Sequence, residues 1–483
     1  MDLIAFRMLN LKRLKWPLTA AVFMLAGLSV GYLAHDPDYI RLLAAAAIIL
    51  PIAALGRKSP QAALIMLLVY LPFMSFLRRL LIPIAGWSSL DPLLLVAPVT
   101  VLLFFSGWLY RTYLLREPIR DESFLFKCVR WMLLVDVLQI FNPLQGSILT
   151  GIAGVIFWVV PVVFMILSRE YVDEKLLKRI FAVALVIGIL SAAYGYKQFL
   201  LGYSFFEKLW VEQSGYTALM VYGTIRPVSF FASGAEYGYY LAIALVISWV
   251  CVLRAKPPLK LVGLAASVFL YINLFIESAR GVIVAATVAL FVVTILSVRK
   301  TAHRVAASLI SLMALGVLFA GISLLNTSND LIRHSVEGLI DPFGERSSAK
   351  GHFRLLGEGI WLGIQNPLGF GLGSTTIAGN QFSGQTISSE ADIGNKFIAT
   401  GVLGGILYFL IMVNVLIKAF RKANAGDPVY LIILGILIAC GMQWLTGGHY
   451  AVLPLIWIMI GYLDKTSARR LKHENRMDRA HAQ

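Results

Sequence analysis

Apolar runs of 15–22 residues recur along almost the whole chain, with short polar breaks between them. Each is long enough, or nearly so, to cross a hydrocarbon core of about 30 Å. The runs predict about fourteen membrane helices, at 17–34, 41–55, 61–77, 91–110, 127–141, 149–167, 178–200, 236–253, 260–276, 281–298, 305–325, 394–417, 429–446 and 450–463. Two longer polar intervals interrupt them, Gly202 to Ala235 and Asn326 to Asn395. Inside the second, Gly351 to Gln365 is amphipathic at a period of about 3.6 residues. Arg354, Glu358, Trp361 and Gln365 share one face, and Phe353, Leu356, Ile360 and Ile364 another. This predicts a short helix lying on or re-entering the membrane. The turn Asn366-Pro-Leu-Gly-Phe-Gly-Leu-Gly373 follows it.

The pattern predicts an all-α, polytopic integral membrane protein with one large outer loop that contains the short amphipathic helix. The expected segments are N-terminal membrane helices (1–200), an outer loop (201–235), further membrane helices (236–325), the large loop (326–393), C-terminal membrane helices (394–464) and a charged tail (465–483). Composition agrees: 59% hydrophobic and 14% charged residues leave too little polar surface for a soluble chain of 483 residues. The first run follows Arg7, Lys12, Arg13 and Lys15 and has no small-x-small cleavage pattern before His35, so it reads as a membrane helix rather than a signal peptide.

The net charge of +16 reads as positive cytoplasmic loops rather than as a nucleic-acid footprint. With the N-terminus in the cytoplasm, most of the 42 lysines and arginines fall on the inner side, and both termini are cytoplasmic. The large loop then faces outward. Cys128, Cys251 and Cys440 are too scattered for a disulfide framework or a metal site, and no metal or cofactor is expected.

The outward basic residues run against the orientation rule, so each needs a reason. Arg226, Arg280, Arg354 and the pair Arg78-Arg79 stand out. Arg280 lies in a tight connection between two apolar runs, with Glu277 as the simple partner three residues earlier. Arg354 has Glu358 one turn on as its bland partner. Several converging arginines suit a pyrophosphate, because the guanidinium is permanently charged and grips phosphate oxygens in pairs. Gly371 and Gly373 let the turn approach a ligand and offer amides to an anion. Glu390 and Asp392, at the mouth of the 394–417 run, are candidate general bases or simply first-turn carboxylates. His352 and His449 are further candidate bases. Trp210, Tyr216, Tyr222 and Trp361 suit either sugar stacking or an interfacial belt.

Four stretches in order resemble the O-antigen ligase and O-antigen polymerase superfamily of bacterial membrane glycosyltransferases. They are Arg226-Pro-Val-Ser-Phe-Phe-Ala-Ser-Gly, Glu277-Ser-Ala-Arg280-Gly281, Arg354 through Trp361 to Pro367-Leu-Gly-Phe-Gly371-Leu-Gly373, and Asn395-Lys-Phe-Ile-Ala-Thr-Gly-Val-Leu-Gly-Gly405. The resemblance covers about 180–420. It implies a metal-independent transferase in the bacterial inner membrane, acting on undecaprenyl-pyrophosphate-linked oligosaccharide at the periplasmic face. Arg226, Arg280 and Arg354 would contact pyrophosphate or glycan. Membrane lipid and a chain-length regulator are the other partners to expect. Ligases of the family carry a histidine before the helix that follows the large loop; this chain has Ser-Ser-Glu390-Ala-Asp392 there. The departure favours a polysaccharide polymerase, with Glu390 or Asp392 as base, over a ligase that moves finished glycan. A lipid-linked oligosaccharide flippase is the alternative of a different class.

Overall fold

The computed structural model describes residues 37–117, 122–215, 220–324, 327–342, 344, 349–441, 443–445 and 449–481. The expected 17–34 span and Tyr216 lie outside these residues. Among the described residues, nine helices are long and apolar enough to cross a membrane, or ten if the bent pair Ile148–Trp158 and Val160–Tyr171 counts as one span. The protein is an all-α, multi-pass membrane protein. Its only described strands are Met220–Val221 and Thr224–Ile225, a two-stranded antiparallel hairpin.

The helix Gly234–Arg254 sits at the centre, packed against Glu174–Leu201, Pro257–Glu277, Arg280–Ser297 and Pro428–Ala439. Its apolar side chains are buried nearly all round, as a core helix requires. Ser233 starts it, accepting the Glu236 amide at 3.1 Å, which satisfies one of the donors a helix leaves open.

Departures from the expected spans cluster where helices break. Residues 149–167 form two helices bent by 40°, with Pro161 at the second position of the second helix; proline removes a ladder bond and crowds the preceding turn. The 127–141 span is the 16-residue helix Phe124–Gln139. The 429–446 span stops early, as Pro428–Ala439, a helix of only 12 residues. The described residues between it and the helix Val452–His481 are non-helical, and that helix carries on well beyond 463 into the expected tail. Irregular backbone at this depth survives only if its polar groups are satisfied inside the protein. Two buried carboxylates do this: Asp392 accepts the amides of Trp444 and Leu445, and Glu236 accepts that of Ala451 at 2.7 Å.

A second break lies within Asp392–Ala423, where Gly401 leaves helical geometry at φ 68°. The glycine-rich turn closes it. Phe370 and Gly371 donate their amides to the carbonyls of Ile398 and Ala399 at 2.9 and 3.0 Å, and the Pro367 carbonyl accepts from Val402 at 3.2 Å. The contact is backbone against backbone, so a Cβ on Gly401 or on Gly369 would strike the opposing main chain.

The 326–393 loop contains three helices rather than one: Asp330–Ile340, Ala349–Gln365 and Ile377–Ser383. The second matches the expected amphipathic segment, but its docking face differs from both expected faces. Gly359 and Gly363, one turn apart, are its buried seam against Ser389, Gly394 and Phe397. Small residues allow close helix approach within a membrane. Phe353, Trp361 and Ile364 stay exposed.

Candidate functional site

The end of the bundle that carries the 202–233 and 324–391 connections holds the polar chemistry. A pocket of about 510 Å³ opens there, within the range of about 300–1,000 Å³ usual for small-molecule sites. Its walls come from the first turns of Gly234–Arg254 (Ser233, Ala235, Tyr239), from the loop after the glycine turn (Thr375, Thr376, Asn380, Ser388, Glu390), and from Asn395, Gln443, His449 and Phe157.

The two expected carboxylates part company. Glu390 lines the pocket, half-exposed, and its backbone occupies the left-handed region at φ 61°. That conformation costs a non-glycine residue about 1–2 kcal/mol and needs support from its surroundings. Gln443 supplies some, donating Nε2 to the Glu390 carbonyl at 2.5 Å. The Glu390 carboxylate pairs with His352 Nδ1, so these two expected residues do come together. Asp392 is fully buried, and it accepts from the Tyr408 hydroxyl at 3.0 Å as well as from two main-chain amides. Its carboxylate is spent on structure, which corrects the expectation that it serves equally well as a base.

The expected cations divide in the same way. Arg226 lies 3.7 Å from Glu277, whose side chain is buried, and both pack against Gly234 at the base of the pocket wall. Glu277 is therefore the partner of Arg226, not of Arg280. Arg280 lies across Gly338 of the Asp330–Ile340 helix and forms no ion pair among the described residues. A Cβ on Gly338 would displace the Arg280 side chain. Arg354 does not join them: its side chain is 74% exposed and its Nε lies 3.5 Å from Glu358, the bland partner. Arg78 pairs with Asp91 together with Arg41, while Arg79 is buried, donating to the Ser229 carbonyl at 2.6 Å and lying over the Trp210 ring. These arginines anchor loops.

The glycine turn is also accounted for by structure, which corrects the reading of Gly371 and Gly373 as anion-binding amides. Gly371 donates to Ala399, and the Gly373 amide lies 3.3 Å from Gln145 Oε1. Their missing Cβ atoms make room for Gln145 and Thr150.

The sequence reading missed His334. It lies within the electrostatic reach of both site arginines, with Nδ1 2.7 Å from the Ser278 hydroxyl and its ring 5.7 Å from Tyr222. Burial pushes its pKa down to about 4; the positive fields of Arg280 and Arg226 add to this, and Glu337 partly offsets it. A lone histidine in the stretch Arg333-His334-Ser335 carries no spacing signal, so only the packing of distant segments reveals it. The consequence for pH is definite. Above pH 6.5 the histidine is neutral both docked and released, and contributes nothing. As pH falls from 6.5 towards 4 the released form takes up a proton and the docked form resists, so the docked form loses stability. The thermal midpoint of the wild type is therefore expected to fall more steeply between pH 7 and 4.5 than that of His334→Gln. Parallel slopes would contradict it.

No family model matches the chain, and no curated protein matches it significantly. The site's own geometry is a pocket lined by hydroxyl, amide and apolar groups with one accessible carboxylate, near Arg226, which the buried Glu277 pairs.

Proposed function

We propose that this chain is a bacterial inner-membrane glycosyltransferase that polymerises a surface or exported polysaccharide. It transfers the growing glycan from undecaprenyl pyrophosphate to a hydroxyl of the next lipid-linked repeat unit. In this reading the termini are cytoplasmic and the loop end faces the periplasm, in keeping with the excess of lysine and arginine at the opposite end. The observation that carries the reading is the nearness of the Glu390 pocket to Arg226, which packs on Gly234 between the pocket-lining Ser233 and Ala235, while Arg280 and Arg226 both act electrostatically on His334.

The chemistry needs few parts. The acceptor hydroxyl attacks the anomeric carbon, the bond from that carbon to the pyrophosphate oxygen breaks, and Glu390 takes the hydroxyl proton. Undecaprenyl pyrophosphate leaves with the bonding electrons, and Arg280 and Arg226 stabilise the charge that grows on it. Neutral His334 contributes a ring nitrogen without adding a third positive charge to the cluster. Glu390, not Asp392, takes the base role, because Asp392 has no free face.

The test is glycan length in the native host, comparing wild type, deletion, and deletion complemented with Glu390→Gln. Loss of long polymer, with single repeat units still reaching the surface, is the expected result. Long polymer stranded on its lipid carrier would make the chain a ligase. Repeat units trapped on the cytoplasmic face would make it a flippase.

A further inference from the structure

The lining of the pocket separates sharply from the cations beside it. Among its described walls the ionisable side chains are Glu390, His449 and Tyr239; no described lysine or arginine faces in. Arg226 stands behind the wall at Gly234, held by Glu277. His449 is buried. What remains is hydroxyl and amide chemistry with two aromatic surfaces, Tyr239 and Phe157.

Two of these polar groups are built in without partners. Thr375 is 6% exposed and His449 4% exposed, and both Thr375 Oγ1 and His449 Nδ1 lack a hydrogen-bond partner among the described residues. A buried polar atom without a partner is costly, so such atoms are explained best where a ligand satisfies them. Nearby hydroxyls do not serve: Thr376 Oγ1 already donates to the Gly373 carbonyl and Thr386 Oγ1 to the Thr376 carbonyl.

We infer that this pocket binds an uncharged sugar ring, a neutral hexose or N-acetylhexosamine of the acceptor, and discriminates against uronic acids and other anionic sugars. The inference rests on the glycosyl-transfer reading and deepens it. A sugar offers hydroxyls to Thr375, Asn380, Gln443 and His449, and an apolar ring face to Tyr239 or Phe157. An anionic sugar would bring its carboxylate close to Glu390, which already engages His352, and no lysine or arginine among the described residues lines the wall to offset the repulsion. It would also lose its hydration shell without a charged partner. The pyrophosphate of the donor belongs at the edge of the pocket, towards Arg226.

Saturation-transfer NMR on the purified full chain in lipid nanodiscs tests this, with N,N′-diacetylchitobiose, cellobiose and digalacturonate as probes. The neutral disaccharides are expected to receive saturation, and digalacturonate at least about tenfold less. Thr375→Val, nearly isosteric, and His449→Phe should each weaken neutral binding about tenfold or more, because a site that pairs with a sugar hydroxyl penalises loss of the partner. Glu390→Gln should admit digalacturonate. Equal transfer from both classes overturns the inference, as does indifference to both variants or no binding of any probe. The readout needs no turnover. If the neutral pattern holds while Glu390→Gln still makes long polymer, the transfer reading falls and the sugar site stands. If polymer is lost and the pattern fails, only the sugar assignment falls.

Discussion

Replacing Arg280 by alanine is expected to lower polymer formation about 10²–10³-fold, the usual effect of removing one charge-stabilising donor from a transfer site. The same change at Arg354 is expected to leave it within a few-fold of wild type. The contrast follows from surroundings rather than residue type. Arg280 lies across Gly338, has no ion-pair partner among the described residues, and acts electrostatically on half-buried His334. Its charge is therefore available to a phosphate and poorly screened. Arg354 is mostly exposed beside Glu358, where a pair contributes only a few tenths of a kcal/mol. Arg226 should fall between them, because Glu277 already offsets part of its field. Arg280→Lys separates charge from shape: lysine keeps the charge but cannot grip two oxygens in a plane, so partial recovery is expected. Glycan length distributions in complemented hosts, with protein levels matched, read all four variants. Equal losses from Arg280→Ala and Arg354→Ala would remove the argument for a cluster at Arg226, Arg280 and His334.

How much was legible beforehand follows the same division. The apolar runs reported the membrane helices well, because hydropathy depends on local composition alone. They failed at the breaks. Nothing in the run 429–446 shows that the helix ends at Ala439, since the carboxylate that satisfies the freed amides is Asp392, on another helix. The same distance effect misassigned Glu277: spacing of three residues pointed to Arg280, yet Ser278 turns the chain through the left-handed region at φ 70° and the carboxylate meets Arg226 instead. Glycines were read as open to a ligand, whereas Gly371 and Gly373 admit the protein's own backbone and side chains. Glu390 and His352 were visible as candidates, but their pairing was not. Long-range partners, not residue types, were the missing information.

The largest such omission is a charge pair inside the bundle, and it carries the strongest stability prediction. Lys396 and Asp136 lie in two apolar runs that gave no sign of each other. Their side chains are fully buried, with Nζ 2.5 Å from Oδ1, and the lysine also sits over the Trp158 ring at 4.5 Å. The pair joins Phe124–Gln139 to Asp392–Ala423 next to Asn395, which lines the pocket. Breaking a buried pair from one side leaves an uncompensated charge and costs about 3–5 kcal/mol, whereas replacing both partners by apolar groups is often close to neutral. Lys396→Met is therefore expected to lower the thermal midpoint severely or abolish the monodisperse species, with Asp136→Leu similar. The double variant is expected to recover most of the midpoint, as measured by fluorescence-detected size exclusion in detergent. If the double variant is as unstable as the singles, the pair is not the determinant and shape around Trp158 is. If it recovers its fold and also makes long polymer, the charges serve assembly alone. A folded double variant without polymer would place the pair in the support of Asn395 and the pocket wall, because stability would then have been restored without restoring the site.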